Sequence, residues 1–225
     1  MANKVQILNS FTNQLWQGIN PIFDSIIDHD FVRGLQTGKL KMSKFQYYIQ
    51  QDAIYLSEYA RALNQLAARS NEPDLMMKFM RFAQDTLHIE RELHNTYFAQ
   101  YDIQENPSKM PTCFAYTNYL LATTAHQPIS VGLAALLPCY WIYPEVGKHI
   151  YKKSIKQNPF QTWIDTYEGY VFEESVNEML ILTEKLAQKA SETERTAMKE
   201  AFQTSSRMEW YFWNDAYNEN KWKFE

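Results

Sequence analysis

Residues Ser43–Ser70, SKFQYYIQQDAIYLSEYARALNQLAARS, set Phe45, Tyr48, Ile49, Ala53, Leu56, Tyr59, Ala60 and Leu63 at the three-to-four spacing of one buried helical face. Ser43 is a residue type suited to capping such a helix, so the spacing predicts one long helix from 43 to about 70. Working outward, the same periodicity predicts about seven helices and no strand. The first runs from about Ser10 to Ile27, bent near Pro21, and is followed by a polar turn through His29, Asp30 and Gly38. Pro73 suits the first turn of a third helix ending near Tyr101. A polar loop, Asp102–Lys109, then leads to helices over about Thr112–Thr124, Ile129–Lys156 and Pro159–Lys189. Ser191 and Glu194 form a capping-box pattern that opens the last helix. No repeat or linker interrupts this pattern. It predicts an all-α fold, a single up-and-down helical domain spanning residues 1–225.

Composition agrees. The chain has 225 residues, 45% hydrophobic and 21% charged, with only 6 Gly and 15% aromatics, the balance of a helical globular protein. A net charge of −4 and a pI near 5.8 argue against a nucleic-acid partner, because phosphate binding requires a basic face. The N-terminus lacks the apolar centre of a signal peptide, and the apolar run Ile129–Tyr143 is short for a membrane span. The two cysteines, Cys113 and Cys139, make no disulfide framework. A cytoplasmic protein with reduced thiols and no membrane partner is expected.

Three segments could carry chemistry. Leu136–Gly147, LLPCYWIYPEVG, places Cys139 directly after Pro138, with Tyr143 four residues on and on the same helical face. Pro138 either starts the helix or kinks it. On these residues alone, Cys139 fits both a core thiol and a pocket group. Asp52 falls within the apolar stripe of its helix, near Tyr48, Tyr55 and Tyr59, where an unpaired carboxylate is expensive. It is either satisfied by a neighbouring helix or an acceptor for an amino group on a bound ring. Glu209 lies among aromatics, with Phe212 and Trp213 three and four residues on. Apolar surroundings raise a carboxyl pKa towards what an acid/base catalyst needs, whereas a surface position or pairing with Arg207 would give it no such role. Tyr116 and Tyr167 add further phenols on other helices. Asp85, His88, Glu90 and His94 share one helix but lack the paired Glu-x-x-His pattern of di-metal bundles, so no metal site is expected. No phosphate loop, Gly-x-Ser-x-Gly elbow or Cys-x-x-Cys pair is present.

Taken in order, these segments resemble the TenA, or thiaminase II, family of the haem-oxygenase-like fold. The resemblance runs from Phe31-Val32-x-Gly34-Leu35-x-x-Gly38 through Tyr48-Ile49-x-Gln51-Asp52-x-x-Tyr55-Leu56 to Leu136–Tyr143. It continues through Thr166-Tyr167-x-Gly169 and Glu209-x-x-Phe212-Trp213-x-x-Ala216-Tyr217. It implies hydrolysis of 4-amino-5-aminomethyl-2-methylpyrimidine, and less readily of thiamin, to the 5-hydroxymethyl pyrimidine. Carried over by position, Cys139 is the nucleophile and Glu209 the proton donor and acceptor. Asp52 binds the amino group and ring nitrogen, while Tyr55, Tyr116, Tyr143, Tyr167 and Phe212 line the ring. A homotetramer without metal or organic cofactor is implied. Glu209, directly or through water or Tyr143, is the expected acceptor of the thiol proton. Pro144, where another aromatic is expected, and Met208, where a Tyr is common, depart from the pattern. A metal-dependent oxidase on the same fold and a non-catalytic pyrimidine-binding or regulatory protein are the competing readings. The second would have no need for Cys139 together with Glu209.

Overall fold

The computed structural model describes residues 10–98, 100, 101, 103, 107–166 and 170–224, apart from the side chains of 89, 90, 92–95 and 170–172. The described residues contain no strand. Their α-helices are α1 (Phe11–Ile27), α2 (Asp30–Gln36), α3 (Met42–Arg69), α4 (Pro73–Leu93), α5 (Pro111–His126), α6 (Ile129–Lys153), α7 (Gln161–Thr166), α8 (Tyr170–Lys189) and α9 (Glu192–Asn218). A π-turn, His94–Phe98, extends α4. The chain groups into two compact units, one comprising the segment up to Lys39 with Ser130–Trp210, the other Leu40–Ile129 with Tyr211 onward.

In the first unit, Ser10 caps α1 by accepting from the Asn13 amide. Glu184, on α8, takes the amides of Phe11 (3.2 Å) and Thr12 (3.0 Å), a carboxylate set against the positive end of a helix. Pro21 is accommodated inside α1. The stretch expected as a polar turn after α1 is helical instead. His29 Nδ1 accepts from the Phe31 amide at 3.1 Å, and the short α2 that follows buries Phe31, Val32 and Leu35. Burial of these three apolar side chains outweighs the turn-like look of His29-Asp30 and Gly38. Gly38, just beyond α2, has φ +65°, and a Cβ there would come within 3.0 Å of both Ile155 and Pro159. Left-handed backbone and close packing both require glycine here. Asn158 holds the same corner, donating to Leu35 O at 2.7 Å and accepting from Phe160 N at 2.9 Å.

Helix α6 is continuous through Pro138 and Pro144, so Pro138 does not start it. The hydrogen bonds that would run from positions 138 and 144 to carbonyls four residues back cannot form. With 25 residues, the helix is long and apolar enough to cross a membrane, which the shorter run read from the sequence was not. Yet 72% of its most apolar stretch is buried, as in a core helix. Trp141 packs on Trp16 of α1 (ring centroids 4.6 Å apart) and on Phe202 of α9 (6.1 Å). Half of the expected capping box forms: Ser191 Oγ accepts from the Glu194 amide at 3.2 Å. The Glu194 carboxylate instead accepts from the Ser130 hydroxyl and ties α9 to α6. The helix expected over 159–189 is present as α7 and α8, with 167–169 outside the described residues.

In the second unit, α3 and α4 pack side by side, with α5 against α3. The face read from the sequence is buried at Phe45, Tyr48, Ile49, Ala53, Tyr59, Ala60 and Leu63, while Leu56 is half-buried. Ser43 is not the cap. Lys41 occupies that position, and the Ser43 hydroxyl donates to Glu219 Oε1 at 2.6 Å. The N-terminus of α5 is held from α9: Asp215 Oδ2 accepts from the Thr112 amide at 3.0 Å, and Asp215 Oδ1 from Asn220 Nδ2 at 2.8 Å. Trp222 Nε1 donates to Lys109 O at 3.0 Å, and the Trp222 ring meets Phe114 edge-on. Asp215→Ala removes a carboxylate cap that is itself buried. It should destabilise the protein by about 1–2 kcal/mol, lowering Tm by about 2–8 °C in a scanning melt.

Candidate active site

The aromatic residues expected to line a ring fall together in the second unit. Tyr55 on α3 lies 5.0 Å from Tyr116 on α5 and 5.7 Å from Phe212 on α9, with ring planes at 39° and 63°. Tyr48, one turn before Asp52, meets Phe212 edge-on at 6.1 Å and stacks on Trp213 at 5.0 Å. Three helices therefore supply one wall of π-faces and edges, which suits a flat heteroaromatic ring. Asp52 shares the Tyr55 face of α3, three residues before it, and is only 7% exposed. A buried carboxylate on an aromatic wall is an acceptor for amino and ring N–H groups.

Gln51 appears in the sequence only as a motif position with no role attached to it. Gln51 Oε1 accepts from the Met110 amide at 2.9 Å, and its Nε2 donates to Ser108 O at 3.0 Å. This buried amide fastens the 108–110 segment to α3 next to Asp52 and so places the start of α5, which carries Tyr116. By residue type alone a Gln on a helix is at least as well placed in water as in the core. Only its tertiary partners reveal the clamp. Asp215 was missed for the same reason.

In the first unit, α6 carries half-buried Cys139 with buried Tyr143 one turn on, and α9 carries Glu209, only 1% exposed. Burial excludes the surface reading of Glu209, and Arg207 two residues earlier is exposed. Trp210, the next residue, packs edge-on to His29 at 5.4 Å. Tyr167 lies outside the described residues, and so do the side chains of Glu90 and His94. Among the described residues, no group of three or more His, Cys, Asp or Glu side chains is placed to hold a metal.

The two thiols occupy different surroundings. Neither is in a disulfide. Cys113 is buried at the start of α5, its Sγ 3.5 Å from Gln51 O. Removal from water pushes its pKa up to about 12, and Asp52, Glu58 and Asp215 add to the rise while Lys109 opposes it. A thiol in that state is inert, since the thiolate is the reactive form. Cys139 is the accessible one. An alkylating reagent such as iodoacetamide should modify one cysteine per folded chain at neutral pH, with peptide mapping placing the label on Cys139. Both should react after denaturation.

Comparison with known proteins extends along nearly the whole chain. A family profile described as the TENA/THI-4/PQQC family matches residues 16–219. The aminopyrimidine aminohydrolase of Halalkalibacterium halodurans is 32% identical over 223 residues, covering 96% of this chain and 99% of that protein. The thiamine biosynthesis multifunctional protein ThiED of Corynebacterium glutamicum is 32% identical over 215 residues. The match covers 96% of this chain but 28% of that much longer protein, so this chain spans just over a quarter of its length. The solved TenA homologue from P. horikoshii superposes with a TM-score of 0.84 at 27% identity, covering 94% of this chain and all of that one. A Shewanella denitrificans domain described as having a heme oxygenase-like fold gives 0.75 at 13% identity, covering 92% of both chains.

Proposed function

Because the chain belongs to the TENA/THI-4/PQQC family and has its all-α, haem-oxygenase-like fold, we propose that it is an aminopyrimidine aminohydrolase of thiamin salvage. The reading is carried by the end-to-end likeness to the Halalkalibacterium aminopyrimidine aminohydrolase. The reaction is hydrolysis of 4-amino-5-aminomethyl-2-methylpyrimidine: the exocyclic C–N bond breaks, a C–O bond to water forms, and ammonia leaves. Thiamin is a second substrate, its thiazolium departing as the neutral thiazole when the electron pair of the C–N bond returns to nitrogen.

The residue roles are those the family resemblance implies, and the chemistry of each side chain suits its role. Cys139 adds as thiolate to the ring carbon next to the substituted position, making an enamine-like system that can expel the amine once it is protonated. This divides one difficult displacement into two easier steps. Glu209 accepts the thiol proton, delivers it to the departing amine, and accepts a proton from water in the second half. A carboxyl group beside the reacting atoms is the chemistry that shuttles a proton between thiol, amine and water. Asp52 accepts hydrogen bonds from the 4-amino group and protonated ring nitrogen, and Tyr55, Tyr116 and Phe212 flank the ring. Tyr143 sits one turn from the nucleophile, and Tyr167 is a further lining phenol.

Substitution at the two reacting groups tests this. Cys139→Ser should bind the pyrimidine with near-normal affinity while turnover falls by about a thousandfold or more. Glu209→Gln should lower kcat by about 10²–10⁴. Near-normal release of the hydroxymethyl pyrimidine by either variant refutes that assignment.

Cytoplasmic residence and a homotetramer belong to the same proposal. Exposed Met77 (60%) and Met80 (54%) on α4, beside Arg81, Gln84 and His88, are the kind of surface that association covers. Sedimentation velocity should report a species of four chains, and Met80→Glu should reduce its assembly.

A further inference from the structure

Ser205 stands on α9 one turn before Glu209, is completely buried, and its Oγ has no hydrogen-bond partner among the described residues. A helical serine ordinarily turns its hydroxyl to the carbonyl four residues back. Ser206, its neighbour, does so, donating to Phe202 O at 2.8 Å, as do Ser70, Thr86, Thr117, Thr124 and Thr183 elsewhere in the chain. Ser205 does not. A buried hydroxyl left in this state forfeits a hydrogen bond it had in water, so its partner is to be sought in a bound molecule.

The position of Ser205 says which molecule. A helical side chain leans back towards the turn before it, so the Glu209 side chain starts out on the same face as Ser205 and is directed towards its turn. Their Cβ atoms are about 5–6 Å apart on the helix surface, and one water bonded to both groups spans about 5.5 Å. Contacts of Ser130 with Glu194 and of Trp141 with Phe202 set α9 running beside α6 in the same direction.

Resting on the hydrolytic reading above, we propose that Ser205 Oγ and the Glu209 carboxylate together hold the water that completes the reaction. Glu209 accepts one O–H of this water and Ser205 accepts the other, which turns an oxygen lone pair towards the exocyclic carbon. As the C–O bond forms, Glu209 takes the proton. The electron pair returns through the ring, the C–S bond breaks, and Cys139 leaves as thiolate. The O–H that remains on the product is the one directed at Ser205. Ser205 is therefore a positioning residue for water and a contact for the product's hydroxyl, not a nucleophile.

Ser205→Ala separates this role from a structural one. Deleting an unpartnered buried hydroxyl should leave Tm unchanged or raised, whereas a structural serine would lower it. Turnover should become biphasic, with one equivalent of ammonia released rapidly per chain and then a steady state about tenfold or more slower than wild type, as the Cys139 adduct accumulates. In calorimetry, wild type should prefer 4-amino-5-hydroxymethyl-2-methylpyrimidine to 4-amino-2,5-dimethylpyrimidine, which lacks the hydroxyl, by about tenfold. Ser205→Ala should lose that preference while binding the dimethyl compound as wild type does. Unchanged kcat without a burst, or an undiminished preference, overturns the assignment of Ser205 and leaves the aminohydrolase reading standing. Failure of the wild type to bind or hydrolyse any aminopyrimidine overturns the functional reading and this inference with it.

Discussion

A single buried amide, Gln51, organises the second unit. Its two ends are both used, one accepting from the Met110 amide and the other donating to Ser108 O. A hydrogen bond of this kind adds little net stability, but leaving either partner buried and unmade is costly. The segment before α5 therefore has one favourable position against α3. Asp215 fixes the same place from α9 by taking the Thr112 amide. With both ends of this junction set, Tyr116 comes within 5.0 Å of Tyr55 as a consequence of the backbone rather than of ring packing alone.

Buried polar groups do two kinds of work in this protein. Those with protein partners fix geometry, as Glu184 does at the start of α1, Glu194 between α9 and α6, and Asn158 against α2. Those to which the proposal gives chemistry lie on the long helices α3 and α9. Asp52 and Glu209 are both buried, at 7% and 1% exposed. The contrast between the thiols has the same origin. Cys113 is enclosed by the α5 junction and rendered inert, while Cys139 keeps a half-buried place on a core helix.

The long helices were legible because their apolar spacing is sustained: α3, α5 and α6 fall within a few residues of their sequence-based bounds. Errors arose where tertiary contacts decide. Asp30–Gln36 reads as a turn, yet Phe31, Val32 and Leu35 bury it as a helix. Ser43 has the chemistry of a cap, but its hydroxyl meets Glu219, far along the chain. For the site, Asp52 and Glu209 could be singled out because carboxylates amid apolar residues contradict local patterning. Gln51, Asp215 and Ser205 contradict nothing locally, and their significance emerges only from their partners or, for Ser205, from its burial.

The glycine after α2 separates two kinds of signature in the family pattern. At Gly38, left-handed backbone and the pressure of Ile155 and Pro159 both exclude a side chain, and no reacting group is involved. Sequences that match this chain there report that they can make the α2 corner, whatever reaction they catalyse or have lost. A relative retaining Gly38 but lacking the thiol of Cys139 would thus keep the architecture while its inherited name became a poor guide to its chemistry.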